Sequence, residues 1–450
     1  MIRRQIRRFG RLLTYFEAQL AEHGWTHAVR SSWVQLIIPY MKHRAIYFAQ
    51  RLVPSNSASE KGSGASPNRL YGPVKPGVLF VGYAEGALGL GQAFRANLRA
   101  ASSAGLDFAI FPFRKNIETR LISPFMEDKY DIENAYAINI IQVAADQVPL
   151  VVDALGPESL DRSYNILCTY WELARAPEEW RPFLEKIHEV WAPNEFIADS
   201  FSVIFDGTIK IIPPAIEDIT IGSVDRMNYN MRNDRFYFLF SFDYYSSAYR
   251  KNPLGVLDAF DQAFPLGTEP VGLVIKSNGS SDHAPEIKAA IFDACQRDRR
   301  VLYLDKNIPR DEMEGLLQAC DAYISLHRAE GFGLGMAEAL LLEKIVIGTD
   351  YSGSRDFLSV DTGYPVPYML RPLASHEYPW ATGQVWAEPD VGAAADLMRR
   401  AFREREEGAV KSRVGRQFVR CKYNKESVGL LIKGRVSDVF HELKMNIGDG

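Results

Sequence analysis

An α/β fold of two successive parallel-sheet halves facing across a cleft, preceded by a basic helical extension, is what this 450-residue sequence predicts. Three observations point there. Short apolar strands alternate with helical segments twice over, a glycine-rich turn follows the first strand, and a Ser/Gly/Pro-rich stretch separates this alternation from an arginine-rich start. Apolar residues make up 47% and charged residues 24%, which excludes collagen-like, low-complexity and wholly disordered chains.

The extension covers residues 1–53. It carries nine Lys/Arg against Glu17 and Glu22, a net charge of +7, and leaves −11 for the rest of the chain. Ile2, Ile6, Phe9, Leu13, Phe16 and Leu20 recur at steps of four and three, the period of one helical face, and most of the early arginines fall off that face. Such a helix lies on an anionic membrane surface through residues 1–21, or packs on the protein's own body or on a second subunit. No signal-type apolar region with a small-residue cleavage site is present, so the segment is expected to be retained. Residues 54–75 read as a flexible linker. No run approaches the ~20 apolar residues of a spanning helix. Four scattered cysteines without a C-x-x-C pair suit reduced thiols, and the net charge of −4 gives no case for nucleic acid as a partner. A cytoplasmic location follows, peripheral on the inner face of a membrane if the arm binds lipid.

The first half is predicted over 76–222. A strand at 77–82 leads into Gly86, Gly89, Leu90 and Gly91 and then a helix over 92–104, followed by strands at 108–111, 137–143, 165–170, 189–192 and 209–212. The glycines either cradle an acceptor or a phosphate, or simply let strand and helix approach closely. The second half is predicted over 233–385, with strands at 236–242, 271–276, 301–304, 322–326 and 345–349 and helices between them. Residues 386–450 read as terminal helices. Each half is thus Rossmann-like, and ligands of such sheets sit at the carboxyl ends of strands.

The segment richest in chemistry begins where the strand over 322–326 ends in His327 and Arg328. Glu330-Gly331-Phe332-Gly333-Leu334 form a turn, and a helix then places Glu338 near its start. Backbone N–H groups and a positive helix end suit a diphosphate, and two carboxylates suit sugar hydroxyls. The bland alternatives are a helix-end charge for Glu338, a solvated loop residue for Glu330 and a satisfied structural histidine for His327. No Walker A motif, H-E-x-x-H or D-x-D triplet occurs, so no metal is expected.

Here the sequence resembles the retaining GT-B glycosyltransferases of the family 4 type, whose Glu-x7-Glu signature matches Glu330 and Glu338. Asp321-Ala322-Tyr323, Arg250-Lys251-Asn252-Pro253 and Trp191-Ala192-Pro193-Asn194 are similar to that family's recurrent segments, and the resemblance covers about residues 76–370. It implies two Rossmann-like domains across a cleft, with the acceptor held by the first and a nucleotide sugar by the second. The terminal helices are expected to cross back to the first domain. Glu338 would bind the ribose and Glu330 the donor sugar. Lys251 occupies the family's lysine position. The family's upstream arginine is replaced by Tyr245, so Arg250 or Lys276 is expected to take its part on the leaving diphosphate. His327, Arg328, Gly331, Phe332, Gly333, Leu334, Ser352 and Gly353 would line the donor. Glu172 stands near the family's histidine position, beside Trp171, facing the sugar or acceptor hydroxyl. The implied activity is metal-independent transfer of a sugar from a nucleotide diphosphate sugar to a glycan or lipid-linked acceptor, in bacterial surface polysaccharide assembly. Rival expectations are an NDP-sugar epimerase or phosphorylase on the same fold, or a catalytically silent GT-B binding module.

Overall fold

The computed structural model describes residues 74–443, apart from 118–120, 220, 221 and 223; the arm and nearly all of the linker expected from sequence lie outside the described residues. In the first half, β1 (Lys75–Gly82), β2 (Ala109–Pro112), β3 (Tyr136–Gln142), β4 (Tyr164–Cys168), β5 (Glu189–Ala192) and β6 (Thr208–Ile211) form one sheet in the order β2-β1-β3-β4-β5-β6. In the second, β7 (Phe236–Asp243), β8 (Val271–Asn278), β9 (Val301–Asp305), β10 (Ala322–Ser325), β11 (Ile345–Thr349) and β12 (Tyr364–Val366) run in the order β12-β11-β10-β7-β8-β9. Every pairing in both sheets is parallel.

Parallel strands covered on both faces read as continuous apolar runs, and the inner strands β1 and β7 do. In β1, Leu79 and Val81 enter one apolar layer while Val78 and Phe80 enter the opposite one. In β7, Phe236, Phe238, Phe240 and Phe242 face one layer and Tyr237 and Leu239 the other. The covering helices of the first half are α1 (Gly89–Ser103), α2 (Val148–Leu155), α3 (Pro157–Asp161) and α4 (Glu195–Ser202). Those of the second are α5 (Ala248–Lys251), α6 (Pro253–Ala263), α7 (Pro285–Arg297), α8 (Arg310–Ala319) and α9 (Leu334–Leu341). Asparagines start two of them: Asn194 Oδ1 accepts from the Ile197 N–H ahead of α4, and Asn252 Oδ1 from the Gly255 N–H ahead of α6, with Pro253 in the first turn.

Three terminal helices follow, α10 (Val391–Arg403), α11 (Arg405–Lys422) and α12 (Lys425–Glu442). Gly408 and Gly415 bring α11 against Ile345 and Leu340 of the second half. The chain then crosses, and Gly429 of α12 rests on the Ala100 carbonyl of α1 so closely that a Cβ would collide with it. Arg435 of α12 reaches the fully buried Glu189 of β5, Nη2 to Oε2 2.6 Å, and Trp191 Nε1 donates to the same carboxylate at 2.7 Å. Two features lack a counterpart in the sequence analysis: the three-residue edge strand β12, and a ribbon that follows it. Between β12 and α10 an antiparallel ribbon, β13 (Tyr368–Pro372) with β14 (Val385–Pro389), straddles the boundary expected at 385. Its strands are short, and Val385-Trp386-Ala387 is too brief an apolar run to be told from loop. Among the described residues no helix is long and apolar enough to cross a membrane.

Candidate active site

The carboxyl ends of β4, β7, β8, β10 and β11 supply the candidate side chains, as expected for parallel sheets. After β7 a tight turn passes through Ser247, at φ +66, into the single turn of α5, and this turn buries Arg250 at 2% exposure. Its Nη1 lies 3.2 Å from Glu330 Oε2 and donates to the Ala329 carbonyl at 2.7 Å. Nε donates to the Ser246 carbonyl at 3.1 Å, and Nη2 stands 3.7 Å from Glu172 Oε1. Lys251 Nζ meets the other Glu330 oxygen, Oε1. Four charges therefore alternate in the order Glu172, Arg250, Glu330, Lys251. Burial pushes the Glu330 carboxyl up, but the Lys251 ammonium and Arg250 guanidinium outweigh it and hold it at about 2. Burial lowers Lys251, and the neighbouring Arg250 adds to that against the pull of Glu330. Arg250 itself is burdened by burial yet held above its ordinary value by Glu330 and Glu172.

The loop after β10 is held from two sides. Ser352 Oγ accepts the Glu330 N–H at 2.8 Å and donates to the Tyr351 carbonyl, while the Gly353 N–H donates to the Glu330 carbonyl at 3.0 Å. A Cβ on Gly353 would collide with the Gly331 carbonyl, which also accepts Asn194 Nδ2 from the first half at 2.6 Å. Gly333, at φ +94, turns the chain into α9. On α9, Glu338 is 8% exposed; its Oε1 accepts Gln92 Nε2 of α1 at 2.7 Å and lies 2.8 Å from Arg310 Nη1 of α8. The two glutamates of the motif thus sit at the seam between the halves. Lys276, near the carboxyl end of β8, is 7% exposed, and among the described residues its ammonium has no hydrogen bond or ion pair. Burial lowers it, against the attraction of Asp243 and Asp305.

Several residues expected in the cleft are placed elsewhere. His327 is fully buried, with Nδ1 3.1 Å from Ser325 Oγ and Nε2 3.2 Å from Ser354 Oγ; burial pushes it down to about 4, so it stays neutral. Arg328 turns to the ribbon, where Nε and Nη2 each donate to Glu388 at 2.8 Å. Phe332 packs into the core with ring centroids 5.4 Å from Phe357 and 5.2 Å from Tyr423. Leu334 packs on the same cluster. Trp171 is buried in a first-half aromatic cluster, 4.7 Å from Trp180. Serines hold His327, Glu388 of the ribbon holds Arg328, and apolar or aromatic neighbours take Phe332, Leu334 and Trp171.

In the glycine turn, Gly91 and Gly86 serve close packing, since a Cβ on Gly91 would strike the Gly86 carbonyl. That carbonyl also accepts Arg95 Nη1 at 2.9 Å. Gly89, in contrast, is exposed with nothing within 4 Å of a Cβ, and Leu90 packs on the first-half core. Gln92, Arg310 and Tyr378 were not singled out from sequence, because each acts through a partner distant along the chain. Asn194 belongs to the quoted Trp191–Asn194 run, its signal being the cap position before α4. Among the described residues no group of three or more His, Cys, Asp or Glu side chains is arranged to hold a metal ion.

No protein-family model and no curated protein matches the sequence. Solved structures match the fold. Sucrose-phosphate synthase from Thermosynechococcus elongatus is similar with a TM-score of 0.62 at 13% identity, covering 82% of this chain and 100% of that one. HepE of Anabaena, solved with UDP and glucose, gives 0.59 at 12% identity over 80% of this chain and 99% of that one. A glycosyltransferase from Rickettsia africae gives 0.58 at 14% identity over 83% and 100%. With the two parallel six-stranded sheets, these likenesses show the GT-B fold.

Proposed function

We propose that this protein is a metal-independent, retaining glycosyltransferase of the family 4 type, moving a sugar from a nucleotide diphosphate sugar to a glycan or lipid-linked acceptor. The observation that carries it is the charge chain: Glu330 held between Lys251 and Arg250, one helix start before Glu338, at the seam of a GT-B fold. At rest that chain balances two cations against two carboxylates. On donor binding, Lys251 and Arg250 turn from Glu330 to the diphosphate, and Glu330 turns to the donor sugar's hydroxyls. Glu338 takes the ribose in place of Gln92 and Arg310. Lys276, buried and without an ion pair among the described residues, adds a third cation where leaving-group charge develops, a preorganised arrangement that supplies several kcal/mol.

In this scheme the bond from the anomeric carbon to the diphosphate oxygen breaks, and the bond to the acceptor oxygen forms on the same face. The acceptor's proton passes to a phosphate oxygen, and Glu172 orients the acceptor hydroxyl. UDP and glucose in HepE make a uridine nucleotide the first donor to test. Surface polysaccharide assembly at the inner face of a bacterial membrane, reached through residues 1–21, is the setting that gives the basic arm a purpose.

The test is thermal stabilisation of the full chain by UDP, GDP, dTDP and ADP and by their sugars. A ligand at a hundred times its Kd adds about 2.7 kcal/mol. A shift with one nucleotide, weakened at least tenfold in affinity by Glu338→Ala, is expected; no shift with any sinks the proposal in favour of a silent module. Donor turnover without a transferred product points to an epimerase or hydrolase instead.

A further inference from the structure

The ribbon of β13 and β14 has no part in the scheme above, yet it fastens to both halves. Its loop packs Trp380 against both Trp171 and Trp180, with ring centroids at 5.9 and 5.0 Å, and Gln384 Nε2 donates to the Arg175 carbonyl at 2.7 Å. Toward the second half, the Glu377 carbonyl accepts Ser247 Oγ at 2.8 Å, in the turn that presents Arg250. The Ala387 N–H donates to the Arg328 carbonyl at 3.0 Å. Between these anchors stands Tyr378. Its hydroxyl donates to Glu172 Oε2 at 2.7 Å, and its ring lies 6.0 Å from the Arg250 guanidinium carbon.

We propose that Tyr378 is a positioning residue of the transfer site: it holds one oxygen of Glu172 so that the other stays aimed at Arg250 and available to the acceptor hydroxyl. The inference rests on the glycosyltransferase reading. Glu172 lies in a turn without regular structure, and its 3.7 Å approach to Arg250 is longer than a hydrogen bond, so that ion pair alone leaves the carboxylate free to swing. A phenol seated on a packed aromatic platform removes that freedom, which is how a positioned group raises reactivity. The donor's diphosphate also brings negative charge close to Glu172. A neutral hydroxyl holds the carboxylate against that repulsion without drawing cations from the phosphates. Burial and the adjacent Glu172 keep the phenol protonated, and so a donor, well above its ordinary range.

The test compares wild type, Tyr378→Phe, Glu172→Gln, the double variant and Trp380→Phe, using whichever nucleotide sugar of the panel above is turned over. Tyr378→Phe is expected to lower kcat about tenfold with donor KM and the nucleotide-induced thermal shift unchanged. The double variant is expected to be no slower than Glu172→Gln alone, and Trp380→Phe, which thins the aromatic platform but keeps the hydroxyl, to lose clearly less kcat than Tyr378→Phe. Unchanged kcat in Tyr378→Phe, losses that multiply in the double variant, or an equal loss in Trp380→Phe would each overturn the positioning role. Absence of turnover in wild type itself overturns the transferase reading, a distinct outcome.

Discussion

Glu330→Gln should tighten nucleoside diphosphate binding while removing turnover, two effects of opposite sign from one substitution. In the resting site Glu330 engages Lys251 through Oε1 and Arg250 through Oε2, the latter at 3.2 Å. At an effective dielectric of about 20, unit charges ~4 Å apart attract by about 4 kcal/mol, and most of that offsets the cost of burying them. A diphosphate must break the Lys251 contact to bind. If a third of the Coulomb attraction is returned to the ligand when Glu330 is neutral, the gain is about 1.4 kcal/mol, or tenfold in Kd. The amide keeps the carboxyl's shape, so packing is conserved. Turnover should fall on the order of a hundredfold, because the donor sugar loses its carboxylate contact. Isothermal titration with the nucleotide that stabilises the wild type reads the first effect, and release of that nucleotide from its sugar reads the second. Equal or weaker binding by a folded variant would show that Glu330 does not compete with the diphosphate for Lys251, and the assignment of that lysine would go with it.

Two further expectations concern stability. Glu330 is held at about 2 against an ordinary 4.5, and His327 at about 4 against 6.5. Both folded values are depressed, so each group's contribution is complete above its unfolded pKa and is lost as pH falls: for His327 between about 6.5 and 4, for Glu330 between about 4.5 and 2. Each window is worth on the order of 3 kcal/mol at most. Urea midpoints at pH 7, 5 and 3 should show His327→Asn flattening the first window and Glu330→Gln the second; an unchanged pH slope in either variant contradicts its assignment. Among the glycines, Gly353→Ala and Gly91→Ala should each cost about 1–3 kcal/mol, since a Cβ there meets a carbonyl, whereas Gly89→Ala should be neutral or stabilising by up to ~1 kcal/mol. Thermal unfolding of the three variants decides it, and equal losses at all three would mean that the turn's packing does not set the cost.

What the sequence disclosed divides by range along the chain. The parallel sheets were legible because their strands are continuous apolar runs bounded by turn residues, a local property. The pairing of Lys251 and Arg250 with Glu330 was legible only as a set of candidates, since 79 residues separate Lys251 from Glu330 and nothing local says which cation arrives. His327 and Arg328 were assigned to the cleft from their place at a strand's end. The structure turns His327 to two serines and Arg328 to Glu388, on a ribbon whose strands are too short to announce themselves. Trp171 misled for a similar reason: an aromatic beside an acidic residue suits a sugar, but Trp180 and Trp380 close over it.

The seam contacts also bear on how a donor enters. Gln92 to Glu338 and Asn194 to the Gly331 carbonyl are the hydrogen bonds by which first-half side chains hold the donor motif, at 2.7 and 2.6 Å. A ribose on Glu338 displaces the first of these but need not touch the second, because Asn194 binds a main-chain carbonyl while its Oδ1 caps α4. On the proposed reading, Asn194, the terminal crossing of α12 and the Tyr378 ribbon hold the halves in register while the nucleotide end exchanges partners. In the proposed scheme the ribose hydroxyls replace both Gln92 and the Arg310 ion pair on Glu338, so this end of the nucleotide adds little net affinity. In that scheme net affinity comes from the diphosphate, held by Lys276, which has no ion pair among the described residues, and by Lys251, which gives up its contact with Glu330.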